Sequence, residues 1–91
     1  MEFFESMESN ERARAAILET VDNQLKKNDP PETRLAYNRL ISMGDDSENA
    51  RLRIAQCVAI EIFEIMKYKK KFDLERYITH LNNLPESPLE D

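Results

Sequence analysis

The sequence has one glycine, one cysteine, one histidine and no tryptophan in 91 residues. Turns and bulges draw on glycine, so a chain with Gly44 alone is neither a β-rich nor a loop-rich design. The same scarcity excludes every glycine-rich phosphate loop. Cys57 has no partner for an internal disulfide, and nothing points to an oxidising compartment. His80 has no second histidine with which to build a metal site or a catalytic pair. Long apolar runs are also missing. The longest apolar stretch without a charge, Ile54 to Ile60, is far short of the roughly 20 residues needed to span a bilayer. Met1 to Glu11 carries Glu2, Glu5, Glu8 and Glu11, where a secretory signal needs a basic start and an apolar run. A cytoplasmic protein with no membrane partner is the expectation.

What is present favours helices. Leu, Ala, Glu, Arg and Lys are abundant, all good helix formers. The 41% apolar and 34% charged residues fit a folded protein with a well-solvated surface. A single domain of this length buries roughly 60–65% of the surface its unfolded chain exposes. That is one modest core, with no room for a deep enclosed active site. The net charge of −5 opposes nucleic acid and anionic lipid on average, although a local basic patch is compatible with it.

The periodicity predicts four helices. Residues 1–9 read as an acidic leader in which Phe3, Phe4 and Met7 share a helical face. Residues 10–85 are the helical domain, and residues 86–91 read as a disordered acidic tail. The first helix runs from about Asn10 to Lys27, capped by Ser9, with Ala13, Ile17, Val21 and Leu25 on one stripe and Leu18 beside it. Asp22 and Lys26 have i, i+4 spacing. At the second helix Asp29 is the expected cap, Pro30 the first helical residue and Glu32 the partner in a capping box. Its inner face is Leu35, Leu40 and Ile41, with Ala36 and Tyr37 nearby, and Gly44 ends it.

The third helix is the unusual one. Asp45 with Glu48, or Ser47, caps it, and it runs to Lys67 or Tyr68. Between Ile54 and Met66 only Gln56, Glu61 and Glu64 are polar. A helix apolar on most of its circumference must be covered on most of it, so this helix is the core and the others wrap it. Asp73 caps the fourth helix, Phe72 and Tyr77 have the spacing of a hydrophobic staple, and Tyr77, Ile78, Leu81 and Leu84 face inward. Asn83 and Pro85 end it. The fold class is all-α: a four-helix bundle-like single domain with a central apolar third helix.

Few residues carry chemistry. His80 lies beside the inner face of its helix. Cys57 falls in the most apolar segment, where a thiol is inert. Glu61 and Glu64 share a face and have the residue type for acid–base or metal work. The second Glu-x-x-His motif of carboxylate di-iron bundles is missing. A solvent-facing stripe, or an ion pair with Arg34, Arg39 or Lys67, is the expected role of the two carboxylates. Lys67, Lys69, Lys70 and Lys71, interleaved with Tyr68 and Phe72, form a small basic-aromatic patch of the kind that holds phosphate. They also sit where the dipole of the third helix favours cations. A helix-turn-helix reading would put the third helix in a groove, and it is too apolar for that.

Several segments together resemble a known group. These are Asn23-Gln24-Leu25, Asp29-Pro30-Pro31-Glu32-Thr33-Arg34, Cys57-Val58-Ala59 with Glu61-Ile62-Phe63-Glu64, and the ending Phe72-Asp73, Glu75-Arg76-Tyr77, Leu81 and Leu84-Pro85. Over about residues 21–85 the chain resembles a group of short all-helical bacterial proteins, a domain of unknown function. Such relatives carry histidines in the first helix and at the start of the third. Here Arg14 to Thr20 and Asn49 to Arg53 contain none, so the resemblance carries no metal-binding role to this chain, and a group of unknown function supplies no activity.

No catalytic, cofactor-binding or metal-binding residues emerge, and the expectation is a non-enzymatic protein-interaction module. If three modest helices leave part of the third uncovered, an apolar strip remains as an interface. Leu52, Ile60, Phe63 and Tyr68 lie off the Ile54–Val58–Ile62–Ile65 face and are its candidate residues. The partner is another protein or a second copy of the chain, as a homodimer. The alternative is a small regulatory protein acting on a nucleic-acid system, through phosphate contact at Lys67, Lys69, Lys70 and Lys71 or through an acidic face. A third reading is a carboxylate–metal enzyme using Glu61, Glu64 and His80.

Overall fold

A computed structural model describes residues 11–88, which form four helices and, among the described residues, no strand: α1 (Glu11–Lys27), α2 (Pro31–Ser42), α3 (Ser47–Tyr68) and α4 (Leu74–Asn83). The Ser9 cap, the acidic leader with Phe3, Phe4 and Met7, and the last three residues of the tail lie outside the described residues. Of the expected tail, Glu86 donates its N–H to the Asn83 carbonyl at 3.0 Å, and Ser87 and Pro88 are half-buried.

Local chemistry sets the helix ends. The α1–α2 and α2–α3 breaks both close with paired Schellman hydrogen bonds around a residue of positive φ. At the first, Asn28 has φ 53°, with Asn28 N–H to Leu25 O at 3.3 Å and Asp29 N–H to Gln24 O at 3.1 Å. At the second, Gly44 has φ 110°, with Gly44 N–H to Ile41 O and Asp45 N–H to Leu40 O, both 3.0 Å.

The start of α2 lies one residue later than the sequence suggests. Pro30 is extended (ψ 152°), Pro31 takes the first helical position, and no side chain caps the helix. A residue followed by proline is pushed out of the α region. Pro31 therefore keeps Pro30 out of the helix and leaves Asp29 too far away to cap. The cap of α3 also moves. Asp46 accepts from Asn49 N–H at 2.8 Å, while the expected cap Asp45 pairs with Arg53 at 2.7 Å. Asp73 caps α4 as expected, accepting from Arg76 N–H at 3.0 Å. Its staple is formed, with the Phe72 and Tyr77 rings edge-on at 5.3 Å.

Helix α3 packs against each of the other three helices. Its buried face is Ala50, Ile54, Cys57, Val58, Ala59 and Glu61. Ile17 and Val21 of α1, Ala36 and Leu40 of α2, and Tyr77, Leu81 and Leu84 complete the core, with Leu25, Tyr37, Ala55 and Ile62 packed at its edge. Two parts of the sequence reading need correction. The inner face of α2 is Thr33, Ala36 and Leu40, while Leu35 is 64% exposed and Ile41 also faces water. A 3.6-residue repeat starting from Leu40 selects positions 33, 36 and 37 and passes over 35. Asp22 is engaged across helices rather than along its own. Its two oxygens hold Arg51 of α3 at 2.8 and 2.9 Å, a fork that fits a carboxylate better than one lysine does. No helix among the described residues is long and apolar enough to cross a membrane.

Candidate functional site

Glu61 is fully buried, not part of a solvent-facing stripe. Its Oε1 accepts from the Asp73 N–H at 2.9 Å and from Arg76 Nη2 at 3.0 Å. Its Oε2 accepts from Arg76 Nε at 2.7 Å. Two charged hydrogen bonds in fork geometry and one backbone donor satisfy the carboxylate. The hydrogen bond to Glu61 is the main cause that raises the Arg76 guanidinium above its ordinary range, and Glu61, Glu64 and Asp73 add to it as charges. Glu64 lies 3.7 Å from both Arg76 Nη1 and Lys70 Nζ. This clasp fastens the end of α3 to the start of α4 across the linker 69–73.

The cations expected opposite Glu61 are committed elsewhere. Arg34 donates to the Leu25 carbonyl at 2.6 Å. Arg39 donates to the carbonyls of Leu81 and Leu84 at 2.8 and 3.0 Å, closing the end of α4. Lys67 lies over the rings of Phe63 and Tyr68, 5.2 and 5.6 Å from their centroids. The partner missed in the sequence is Arg76. Spacing did carry a signal, because Ile54, Cys57, Val58 and Glu61 lie at i, i+3, i+4 and i+7. That pattern places Glu61 on the core face, where a carboxylate requires a cation from a neighbouring helix.

A second buried polar group joins three helices. Tyr77 OH and Thr33 Oγ1 both donate to Gln24 Oε1, at 2.7 and 2.8 Å, and the two hydroxyl oxygens lie 3.2 Å apart. Two protons serve three contacts, so Gln24 is the shared acceptor. Burial pushes the Tyr77 phenol up to about 12. Burial also pushes the Cys57 thiol up to about 12, the opposite of the shift that makes a thiol nucleophilic. His80 is half-buried, and its Nδ1 is buried without a hydrogen-bond partner. Among the described residues no group of three His, Cys, Asp or Glu side chains is placed to hold a metal.

The four residues expected to form an interface are not brought onto one surface. Leu52, Ile60 and Phe63 share a stripe of α3 and are half-buried. Tyr68 is 52% exposed and sits about 140° round the helix from Phe63 and about 80° from Ile60, and its ring meets that of Phe63 edge-on at 6.2 Å.

Apart from Leu35, Ile41 and Met43 on and just after α2, the exposed large apolar side chains gather where α3 ends and α4 begins. Met66, Tyr68, Phe72 and Leu74 are all exposed there, Met66 the most at 65%. Lys67, Lys69, Lys70 and Lys71 are exposed among them. Lys69 takes the left-handed conformation (φ 57°) that terminates α3, and Lys70 Nζ lies 5.7 Å from the Tyr68 centroid. An open groove of about 660 Å³ runs along the linker and the first turns of α4, lined by Lys70 to Arg76 and Ile78. The expected phosphate-contact lysines and one of the expected interface residues thus meet at one corner, which the Glu61–Arg76 clasp holds in shape.

No protein-family model, no curated protein and no solved structure matches this chain.

Proposed function

We propose that this chain is a non-enzymatic protein-interaction module of the cytoplasm that works through the α3–α4 corner. One observation carries the reading. Apolar side chains that a bundle normally buries stand in water beside four lysines, on backbone fixed from below by a buried ion pair. Clustered exposed apolar area with a polar rim is the mark of an interaction surface. Aromatic and methionine side chains are enriched in such surfaces, and a rigid support lowers the ordering cost of binding. Two of the groups with catalytic potential are already committed: Glu61 holds Arg76, and Cys57 is buried with its proton held. The surface proposed here replaces the Leu52, Ile60 and Phe63 stripe and retains Tyr68. The partner is another protein or a second copy of the chain.

A photo-crosslinking amino acid placed at Met66 or Leu74 in the native cell tests this. A discrete adduct is expected from those positions, none from the exposed Asn82, and loss of the Met66 adduct on Leu74→Glu. An adduct with the mass of two chains identifies self-association as a homodimer. Labelling at Met66 and Leu74 no different from that at Asn82 refutes the reading.

A further inference from the structure

The corner has a charge sign as well as apolar area, and the sign opposes that of the molecule. In a chain of net charge −5, four of the five residues from 67 to 71 are lysines. Lys70 faces Glu64 at 3.7 Å and Lys67 lies over two rings. Lys69 and Lys71 have no acidic partner among the described residues. The groove beside them has an apolar lining in Phe72, Leu74 and Ile78. We propose that this groove docks an acidic amphipathic segment of a partner protein, with its apolar side chains on Phe72, Leu74 and Ile78 and its carboxylates toward Lys69, Lys70 and Lys71. The proposal rests on the interaction reading above and names the partner's chemistry.

Two features favour a peptide over the other anionic surfaces that lysines attract. The site is short, lined by residues 70–76 and 78 alone, whereas a membrane presents a broad plane. Its lining includes Asp73 and Glu75, which repel a continuous sheet or strand of phosphates and which a peptide can face with neutral side chains. Docking of an amphipathic helix in an apolar groove is a recurrent recognition mode, and charges at its rim set partner choice.

The test uses the full chain, labelled with nitrogen-15, and four probes. The first is a peptide of about 16 residues with Leu and Phe at i, i+3, i+4 and i+7 and Glu between them. The second is the same peptide with Lys in place of Glu. The third is an oligouridylate, and the fourth is phosphatidylserine–phosphatidylcholine vesicles. The acidic peptide is expected to shift the amide resonances of Lys69 to Ile78 and to bind at least about tenfold more tightly than its basic counterpart. Added salt should weaken it, and Lys69→Glu/Lys71→Glu should abolish the preference. Both lysines are exposed, so the remaining resonances of that variant report an intact fold, and Lys71→Glu alone provides a second variant. Equal or tighter binding of the basic peptide overturns the proposal. So does displacement of the acidic peptide by the oligonucleotide or vesicles at lower concentration, or the absence of shifts at residues 69–78. A corner that crosslinks to a partner in cells and yet ignores the acidic peptide overturns this inference alone.

Discussion

Removing the Arg76 guanidinium should destabilise this protein far more than removing most surface charges. The partner, Glu61, is fully buried, and Arg76 supplies two of its three hydrogen bonds, at 2.7 and 3.0 Å. Arg76→Leu leaves a carboxylate in the core with one backbone N–H from Asp73. Breaking a buried pair by removing one member costs about 3–5 kcal/mol. The Arg76 side chain is 29% exposed, so water already screens part of the interaction and the lower end, about 3 kcal/mol, is expected. A domain of this size has a total stability of about 5–15 kcal/mol, so the variant should unfold roughly 12–24 °C below the wild type. Urea titration followed by circular dichroism reads the difference as a shifted midpoint with an unchanged slope. Glu61→Leu should cost less, because Arg76 can turn to water or to Glu64. The double variant should recover much of the loss, because two apolar side chains in place of the pair leave no charge unpaired. A cost below about 1 kcal/mol for Arg76→Leu, the range of an exposed pair, would show that Glu61 does not depend on Arg76 and would remove the clasp from beneath the proposed surface.

Alkaline pH should loosen the fold. Burial raises Cys57 from 9.0 and Tyr77 from 10.0, each to about 12, so the unfolded chain loses these protons first and stability, intact below about pH 9, declines as pH rises to 12. Urea midpoints measured between pH 8 and 11 check this, and the decline should be shallower in Tyr77→Phe. Gly44→Ala should cost about 1–2 kcal/mol by thermal melting, because φ 110° strains any residue with a Cβ. No atom lies within 4 Å of the added carbon, so the cost is conformational rather than steric. Asp46→Ala and Asp73→Ala should each cost about 1 kcal/mol in the same assay, and Asp29→Ala should cost little, because Asp29 caps nothing.

Much of the fold was legible along the chain. The close of α3, both ends of α4, the staple of Phe72 on Tyr77 and the break at Gly44 depend on neighbours within a few residues, and local spacing reports those. Where two local signals competed, at Asp29-Pro30-Pro31 and Asp45-Asp46, the ends moved by a residue. At the first, a steric rule outweighed a capping preference. At the second, Arg53 drew one aspartate away.

The candidate site was legible only in parts. The lysine run, Tyr68 and Phe72 stood out by type, while Met66 read as part of the apolar third helix and Leu74 carried no signal of its own. Exposure depends on which helix lies alongside, and no local pattern contains that.

By itself the sequence determined four amphipathic rods, their approximate ends, and the greasiest of them as the one the rest must surround. That follows because helix formation and capping act over a few residues, and water rejects apolar surface wherever it lies. Tertiary packing alone decided that Glu61 meets Arg76, that Tyr77 and Thr33 share Gln24, and that Met66, Tyr68, Phe72 and Leu74 stay uncovered beside the lysines. Those outcomes need residues from 9 to 53 positions apart to be brought within hydrogen-bonding range, and only the relative placement of the rods does that.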